Sequence, residues 1–487
     1  MNSSKASEVQ GALVTLANNS PAPVVAASDI PVRTIFRKYD IRGIVDVTLN
    51  ENILRQIGRG FGSTLVERGE RQVIVARDTR LSSPVYAQAM ISGLRETGID
   101  ITDIGATPTP VANFATHALD IPNAVIVTGS HNPPNYNGLK LVVGRKPWHA
   151  DKLAALNQRI INADFSHGDG KLVSRSVTSR YIERVAGSVE IERPLSVAID
   201  CGNGISGPVA SALLRRLGCR VHTLYCKPDG RFPNHHPNPS EPENLKALQQ
   251  AVIDHSLDIG LALDGDGDRL GVIDSSGKII WPDRQLMLFA QEILKQQPGS
   301  TIIYDVKSSC HLDRVIRRAG GKPLMVASGH SVLRQKMRET GAPLAGELSG
   351  HMFFADRWDG FDDGLYTAAR LLEILANTTQ SSNELFATLP DSPCTPEINI
   401  SFNSEEALLA FMEAFSRLDR DNEQIKVSAI DGLRLEYPHG WGLVRASNTT
   451  PSLSLRFEAD DEQALEAIKT SIRRQLLRVD PGLKLTF

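Results

Sequence analysis

Three short β-branched runs punctuate the chain, and a polar loop follows each. They are Val73-Ile74-Val75-Ala76 before Arg77-Asp78-Thr79-Arg80, Leu195 to Ile199 before Asp200-Cys201-Gly202-Asn203-Gly204, and Thr301 to Tyr304 before Asp305-Val306-Lys307-Ser308-Ser309. A helix-like segment comes next, then a glycine (Gly98, Gly218, Gly320) and a second strand candidate. A third apolar run arrives in each unit, at Ala124 to Val127, Ile259 to Leu263 and Ala342 to Ala345. Short apolar strands spaced by helical segments predict βαβ units around a buried, mainly parallel sheet. From about Asp391 the texture changes. Ile398 to Phe402 and Leu453 to Phe457 alternate like strands, while Glu405 to Leu418 and Ala464 to Leu477 have helical spacing. The fold class expected is α/β: three related α/β domains with mixed sheets plus a smaller C-terminal α+β domain. The boundaries expected are 31–176, 177–278, 279–390 and 391–487, with Leu389-Pro390-Asp391-Ser392-Pro393 as a hinge before the last.

Composition narrows the function classes. With 487 residues the chain has room for three or four domains. The formal net charge of −3 argues against a dedicated nucleic-acid or polybasic membrane binder. The cysteines (Cys201, Cys219, Cys226, Cys310, Cys394) are odd in number and lack C-x-x-C spacing, which disfavours a disulfide scaffold or cysteine zinc site and fits a reducing compartment. No apolar run approaches the ~18 residues that span a bilayer. Residues 1–30 hold an apolar stretch, Gly11 to Ala17, that Asn18-Asn19-Ser20-Pro21 breaks early; they read as a disordered or loosely attached tail rather than a secretory signal.

The chemistry-bearing residues sit just after the strands, where open α/β sheets place ligands. Asp264-Gly265-Asp266-Gly267-Asp268-Arg269 sets three carboxylates at alternate positions with glycines between, so a tight turn can aim their oxygens at one hard cation such as Mg²⁺. An EF-hand is excluded, because its sixth and twelfth positions here are Arg269 and Ser275. Three like charges without a counter-ion are costly, which favours a metal over a solvated acidic turn. Thr128-Gly129-Ser130-His131-Asn132-Pro133 lacks the G-x-S-x-G elbow, since position 132 is Asn. What remains is a strand-end serine beside an imidazole, with Lys140 downstream. By itself such a serine is an ordinary turn residue. Arg37 to Gly43, Asp305-Val306-Lys307, Ser328-Gly329-His330 and Glu347 to His351 are further polar loops. Arg445-Ala446-Ser447-Asn448-Thr449 is built like a phosphate clamp. Each is weak alone, and the case rests on their joint occurrence. The Pro- and Asn-rich stretch Asp229 to Asn244, with its His235-His236 pair, reads as an ordered polar loop.

Thr128 to Pro133, Asp264 to Arg269, Gly346 to His351 and Arg445 to Thr449, in this order, resemble the signatures of the α-D-phosphohexomutase superfamily, over essentially all of residues 35–487. The bacterial phosphomannomutase/phosphoglucomutase branch is most similar. The resemblance implies four domains around a central cleft and interconversion of hexose 1-phosphate and hexose 6-phosphate through a hexose 1,6-bisphosphate. It implies Ser130 as the phosphoserine, with Asp264, Asp266, Asp268 and a Ser130 oxygen holding one Mg²⁺. Lys140, Arg269, His330, His351, Arg42 and Tyr39 would line the reaction centre, with His131 and Lys307 toward substrate. Glu347 and Ser349 would bind sugar hydroxyls, and Arg445, Ser447, Asn448 and Thr449 the non-reacting phosphate. It also implies glucose 1,6-bisphosphate as activator, small sugar phosphates as partners, and a cytoplasmic monomer. A phosphoglucosamine mutase is the nearest alternative, although such enzymes usually carry Gln where Leu348 stands. A catalytically silent sugar-phosphate binder would have lost the serine or an aspartate, and all are present.

Overall fold

The computed structural model describes residues 33–419, 425–447, 451–485 and 487, so the expected N-terminal tail lies outside the described residues. Three sheets repeat one plan. In the first, Gln72–Arg77 lies parallel between Asp100–Ala106 and Ala124–Val127. In the second, Ser196–Asp200 lies parallel between Arg220–Leu224 and Ile259–Leu263. In the third, Thr301–Asp305 lies parallel between Lys322–Val326 and Leu344–Gly346. The three sheets are mixed because each third strand turns back antiparallel, into Tyr136–Val143, Leu270–Asp274 and Met352–Phe354 respectively. The central strands are buried along almost their whole length, as sheets covered by helices on both faces require. Proline in the first turn starts four of the helices, at Pro84, Pro110, Pro208 and Pro282, where its missing N–H costs nothing.

That repeated return makes three loops equivalent: 128–135, 264–269 and 347–351. Each joins a third strand to its antiparallel partner, and each carries one of the motifs singled out above. The third unit's final parallel strand starts at Leu344 rather than Ala342, since Pro343 has no N–H for the ladder.

The C-terminal unit departs from the strand–helix–strand–helix expectation. Its sheet is wholly antiparallel, in the order Ile398–Ser401, Ser452–Ala459, Gly440–Ala446, Leu433–Tyr437, Lys426–Ser428, so three strands were not foreseen. The sequence there hides them, because the face turned to the third unit carries buried polar groups opposite the apolar core face. Arg434 is buried, its guanidinium lies 3.6 Å from the Trp441 ring centre, and it donates to the carbonyls of Val306 and Ser308 in the third unit. Arg456 likewise pairs with Asp283 at 3.0 Å, and Trp441 Nε1 donates to Glu458 at 2.7 Å.

Packing separates the units unequally. One apolar cluster runs through the first three, including Ile126, Ile199, Leu263, Ile302 and Phe354. The fourth keeps its own core around Leu455, Phe457, Ile468 and Ile472, and meets the third through the buried polar groups just named and a small apolar contact of Val306 with Trp441 and Leu443. Leu389–Pro393 crosses between them. Asp391 is held by Lys278 and Arg284 and Ser392 by His311, whereas Pro393 accepts from Ala459 N of the fourth unit. The joint therefore falls between Ser392 and Pro393. Among the described residues no helix is long and apolar enough to cross a membrane.

Candidate active site

The first of the three equivalent loops holds Ser130 in a left-handed conformation, φ 49°. An L residue rarely adopts it, so the loop must be over-determined. Two residues that sequence reasoning passed over, Asp78 and Arg80, fix it. Asp78 accepts from Thr128 Oγ1 (2.9 Å) and Gly129 N (3.0 Å), and Arg80 Nη2 donates to Ser130 O at 2.9 Å. The buried Arg80 fork also reaches the carbonyls of Asn132, Pro133 and Tyr136. Gly129 is required beneath it, since a Cβ there would lie 2.3 Å from Arg80 Nε. Arg42 grips the loop from the other side, through Gly129 O and Asn132 Oδ1, and is itself paired with Asp40. The available signal was that Arg77 to Arg80 ends the strand next to Ala124–Val127.

The second loop comes against the first so closely that a Cβ on Gly265 would stand 2.4 Å from Ser130 O. Ser130 Oγ donates to Asp264 Oδ2 at 3.1 Å. Asp264 Oδ1 closes the acidic turn by accepting from Gly267 N (2.9 Å) and Asp268 N (3.1 Å). Thr109 Oγ1 donates to Asp266 Oδ2 at 2.6 Å. Ligand atoms of Asp264, Asp266 and Asp268 all lie within 4.8 Å of one another; Oδ1 of Asp266 is buried with no hydrogen-bond partner among the described residues, and Oδ1 of Asp268 is buried against the His351 ring, 3.2 Å away. Buried carboxylate oxygens converging on one point, one of them without any donor, fit a hard divalent cation.

Charge around this turn is strongly organised. Burial, then Asp268 and Asp266, push Asp264 well above the usual carboxylate range. Lys140 lies in the same pocket as Ser130, and its ammonium donates to Asp266 (2.7 Å) and to Asp268, which gives the buried acids a counter-charge. Burial opposes that charge, yet Asp266 and Asp268 outweigh it and hold Lys140 protonated. His351, from the third loop, lies 3.2 Å from Asp268 Oδ1 and 2.6 Å from Glu347 Oε1. Against burial, these acids push its ring up to about 10. His131 Nδ1 is 3.2 Å from Ser130 Oγ, and burial followed by Arg269 and Arg42 presses this imidazole well below its ordinary range. Burial, with His351 and Lys140, also lowers His330. The site thus holds two charged donors, Lys140 and His351, and two neutral imidazoles.

A cavity of about 700 Å³ opens beside this centre, lined from all four units by Tyr39, Arg269, Lys307, Glu347, Arg445 and Ser447 among others. A smaller one of about 230 Å³ holds Ser130 and Lys140 and shares Tyr39, His131, Arg269, His330 and His351 with it. Tyr39 donates to Ser328 O at 3.1 Å, and Ser349 donates to Glu347. Two further carboxylates were not foreseen: Glu397 accepts from Lys307 Nζ at 3.0 Å, and Asp431 from Arg445 Nε at 3.0 Å. They hold the cations extended into the cleft. Arg445 stands on the strand Gly440–Ala446 rather than in a turn. Asn448 and Thr449 lie outside the described residues. His235 Nε2 donates to Asp200 at 2.9 Å, as a residue of an ordered loop.

Comparison with known proteins agrees with this geometry. Four family descriptions match in succession: phosphoglucomutase/phosphomannomutase α/β/α domain I over 33–166, domain II over 179–277, domain III over 281–392, and the C-terminal domain over 397–475. The phosphomannomutase/phosphoglucomutase of Pseudomonas aeruginosa is 47% identical over 470 residues, covering 96% of this chain and 100% of that one. The phosphoglucomutase of Neisseria gonorrhoeae is 43% identical over 443 residues, covering 91% and 96%. A crystal structure of a family protein from Burkholderia thailandensis superposes with a TM-score of 0.89 at 47% identity, covering 94% of this chain and all of that one. These relatives do not support a phosphoglucosamine mutase or a silent binder. The chain belongs to the phosphoglucomutase/phosphomannomutase family of the α-D-phosphohexomutase superfamily.

Proposed function

We propose that Ser130 is the phosphoryl carrier through which this phosphohexomutase interconverts hexose 1-phosphate and hexose 6-phosphate, accepting both glucose and mannose. The observation that carries the reading is the contact of Ser130 Oγ with the acidic turn, 3.1 Å from Asp264 Oδ2, beside a cleft lined by all four units. In the first half-reaction the bond from phosphorus to Ser130 Oγ breaks and a bond to the free hydroxyl of hexose 1-phosphate forms. The hydroxyl proton passes to a neutral base, for which His131 and His330 qualify and the protonated Lys140 and His351 do not. The bisphosphate turns end for end. Its other phosphoryl group then returns to Ser130, and the proton returns to the sugar oxygen it leaves.

One Mg²⁺ per chain, held by Asp264, Asp266, Asp268 and an oxygen on Ser130, would supply positive charge against the transferring group. Lys140, Arg269 and His351 surround the same point with fixed charge that needs no reorganisation during transfer. Arg445 and Ser447, with Asn448 and Thr449, grip whichever phosphate is not reacting. Glu347 and Ser349 read sugar hydroxyls other than that at C2, which leaves glucose and mannose undistinguished.

Loss of the bisphosphate before its return would leave Ser130 bare, and glucose 1,6-bisphosphate would restore the phosphate as an activator. The cleft is complete within one chain, which supports a monomer; the five free cysteines support a reducing, cytoplasmic setting. The deciding test is intact mass joined to a coupled assay. The native protein should carry one phosphate that Ser130→Ala lacks, and should turn over glucose 1-phosphate and mannose 1-phosphate but not glucosamine 1-phosphate. Turnover without any adduct on Ser130 would refute the carrier role.

A further inference from the structure

A further cavity, of about 420 Å³, lies between the first and third units. His117, Arg145, Lys146, Arg334, Arg338 and Asp359 line it. Positive charge is in excess there. Arg145 is matched at the rim by Asp120, 2.6 Å away, and Asp359 pairs with His117 at 3.8 Å while also facing Arg334. Among the described residues no carboxylate forms an ion pair with Lys146, Arg334 or Arg338.

Arg334 is the decisive group. It is only 5% exposed, and its one hydrogen bond among the described residues runs from Nη2 to Arg145 O at 3.0 Å, leaving Nε and Nη1 unbonded at the cavity wall. A buried guanidinium without an anion is costly to keep. Burial depresses Arg334 to about 10 although Asp362 and Asp359 act in the opposite direction, and Arg338 adds to the fall. The buried Nε2 of His117 likewise lacks a partner among the described residues.

We propose that this cavity is a second anion site, separate from the catalytic cleft, that takes a small phosphoryl-bearing anion. The guanidinium of Arg334 supplies a planar fork, and Lys146 and Arg338 supply charge from opposite walls. Its placement couples it to the first site. Arg334 and Arg338 stand one and two turns along the helix His330–Thr340 that begins in the catalytic centre. His117 ends the helix Thr109–Ala118, whose first residue bonds to Asp266. An anion gripped by Arg334 and Lys146 ties the third unit to the first. This inference does not rest on the role given to Ser130.

The test is equilibrium binding stoichiometry on the full chain, with inorganic phosphate and glycerol 3-phosphate titrated in separate arms. Two equivalents are expected for the wild type and one for Arg334→Met/Lys146→Gln, whose retained first equivalent shows that the catalytic clamp is still folded. A second equivalent for glycerol 3-phosphate assigns the site to phosphorylated metabolites; a second equivalent for inorganic phosphate alone assigns it to the free anion. One equivalent for both ligands on the wild type overturns the proposal. So does a double variant that keeps both equivalents. Crystals soaked in tungstate give the location: a peak at Arg334 supports the site, and an empty cavity refutes it.

Discussion

Ser130 Oγ lies 3.1 Å from Oδ2 of Asp264, a residue 134 positions further along the chain. The two come together because each occupies the loop between a third strand and its antiparallel return, and those loops abut at Gly265. The same relationship places Asp268 against His351 of the third loop. One repeated strand plan therefore assembles serine, acids and imidazole from three units.

Asp268→Asn tests the electrostatic half of this arrangement. Asp268 faces both Lys140 and His351, so neutralising it leaves two buried cations with one fewer anion. Loss of one preorganised charge at a reacting centre is expected to lower kcat by about 10²–10³-fold. Chelation should abolish turnover in the wild type, and added Mg²⁺ should restore it. Undiminished activity in a chelator would exclude the cation reading of the acidic turn.

Arg80 is a positioning residue, and Arg80→Lys separates its geometry from its charge. The planar fork serves the carbonyls of Ser130, Asn132, Pro133 and Tyr136 at once, which an ammonium cannot do. We expect kcat to fall while KM stays close to the wild-type value, because the residues proposed to grip substrate lie elsewhere. Unfolding free energy should drop by about 3–5 kcal/mol in Arg80→Met, which strands Asp78 in the interior. Equal losses in kcat for Lys and Met would fit the fork; full rescue by Lys would not.

Much of this was legible in the sequence because local pattern and global fold agree. Val73 to Ala76, Leu195 to Ile199 and Thr301 to Tyr304 are apolar on both faces and short, which only a covered sheet explains. Glycine-spaced aspartates and the strand-end serine carry their chemistry in their spacing. The hidden parts are those where polar residues face inward. Arg434, on a strand that the alternation did not announce, inserts into the third unit, and Arg456, on a strand that it did, turns its guanidinium to the same partner. Asp78, Arg80, Glu397 and Asp431 act through partners far away in sequence, and no local spacing announces them.

The joint between Ser392 and Pro393 permits the fourth unit to swing onto substrate. Its separate core and polar contact with the third unit support the motion. Small-angle scattering should show a smaller radius of gyration when glucose 1,6-bisphosphate is added. Arg445→Ala should remove that compaction if its guanidinium is, as proposed, the fourth unit's grip on phosphate. An unchanged scattering curve for the wild type at saturation would rule the swing out.

Asp363 sets a pH dependence away from the catalytic chemistry. It caps the helix Gly364–Ala376 by accepting from Tyr366 N, and both its oxygens accept from Tyr181 OH, at 2.8 and 2.9 Å. The carboxyl is buried, and burial pushes it from an ordinary 3.8 up to about 7. The folded chain therefore keeps this proton between roughly pH 4 and pH 7, while the unfolded chain has lost it. Stability must then decline as pH rises through that window and level off above it, a loss of roughly 4 kcal/mol at most. Asp363→Asn keeps an oxygen for the cap and cannot ionise. Denaturant melts at pH 5 and pH 8 should show the variant gaining on the wild type as pH rises. A constant difference between the two proteins at both values would mean that the Asp363 carboxyl does not titrate in this range.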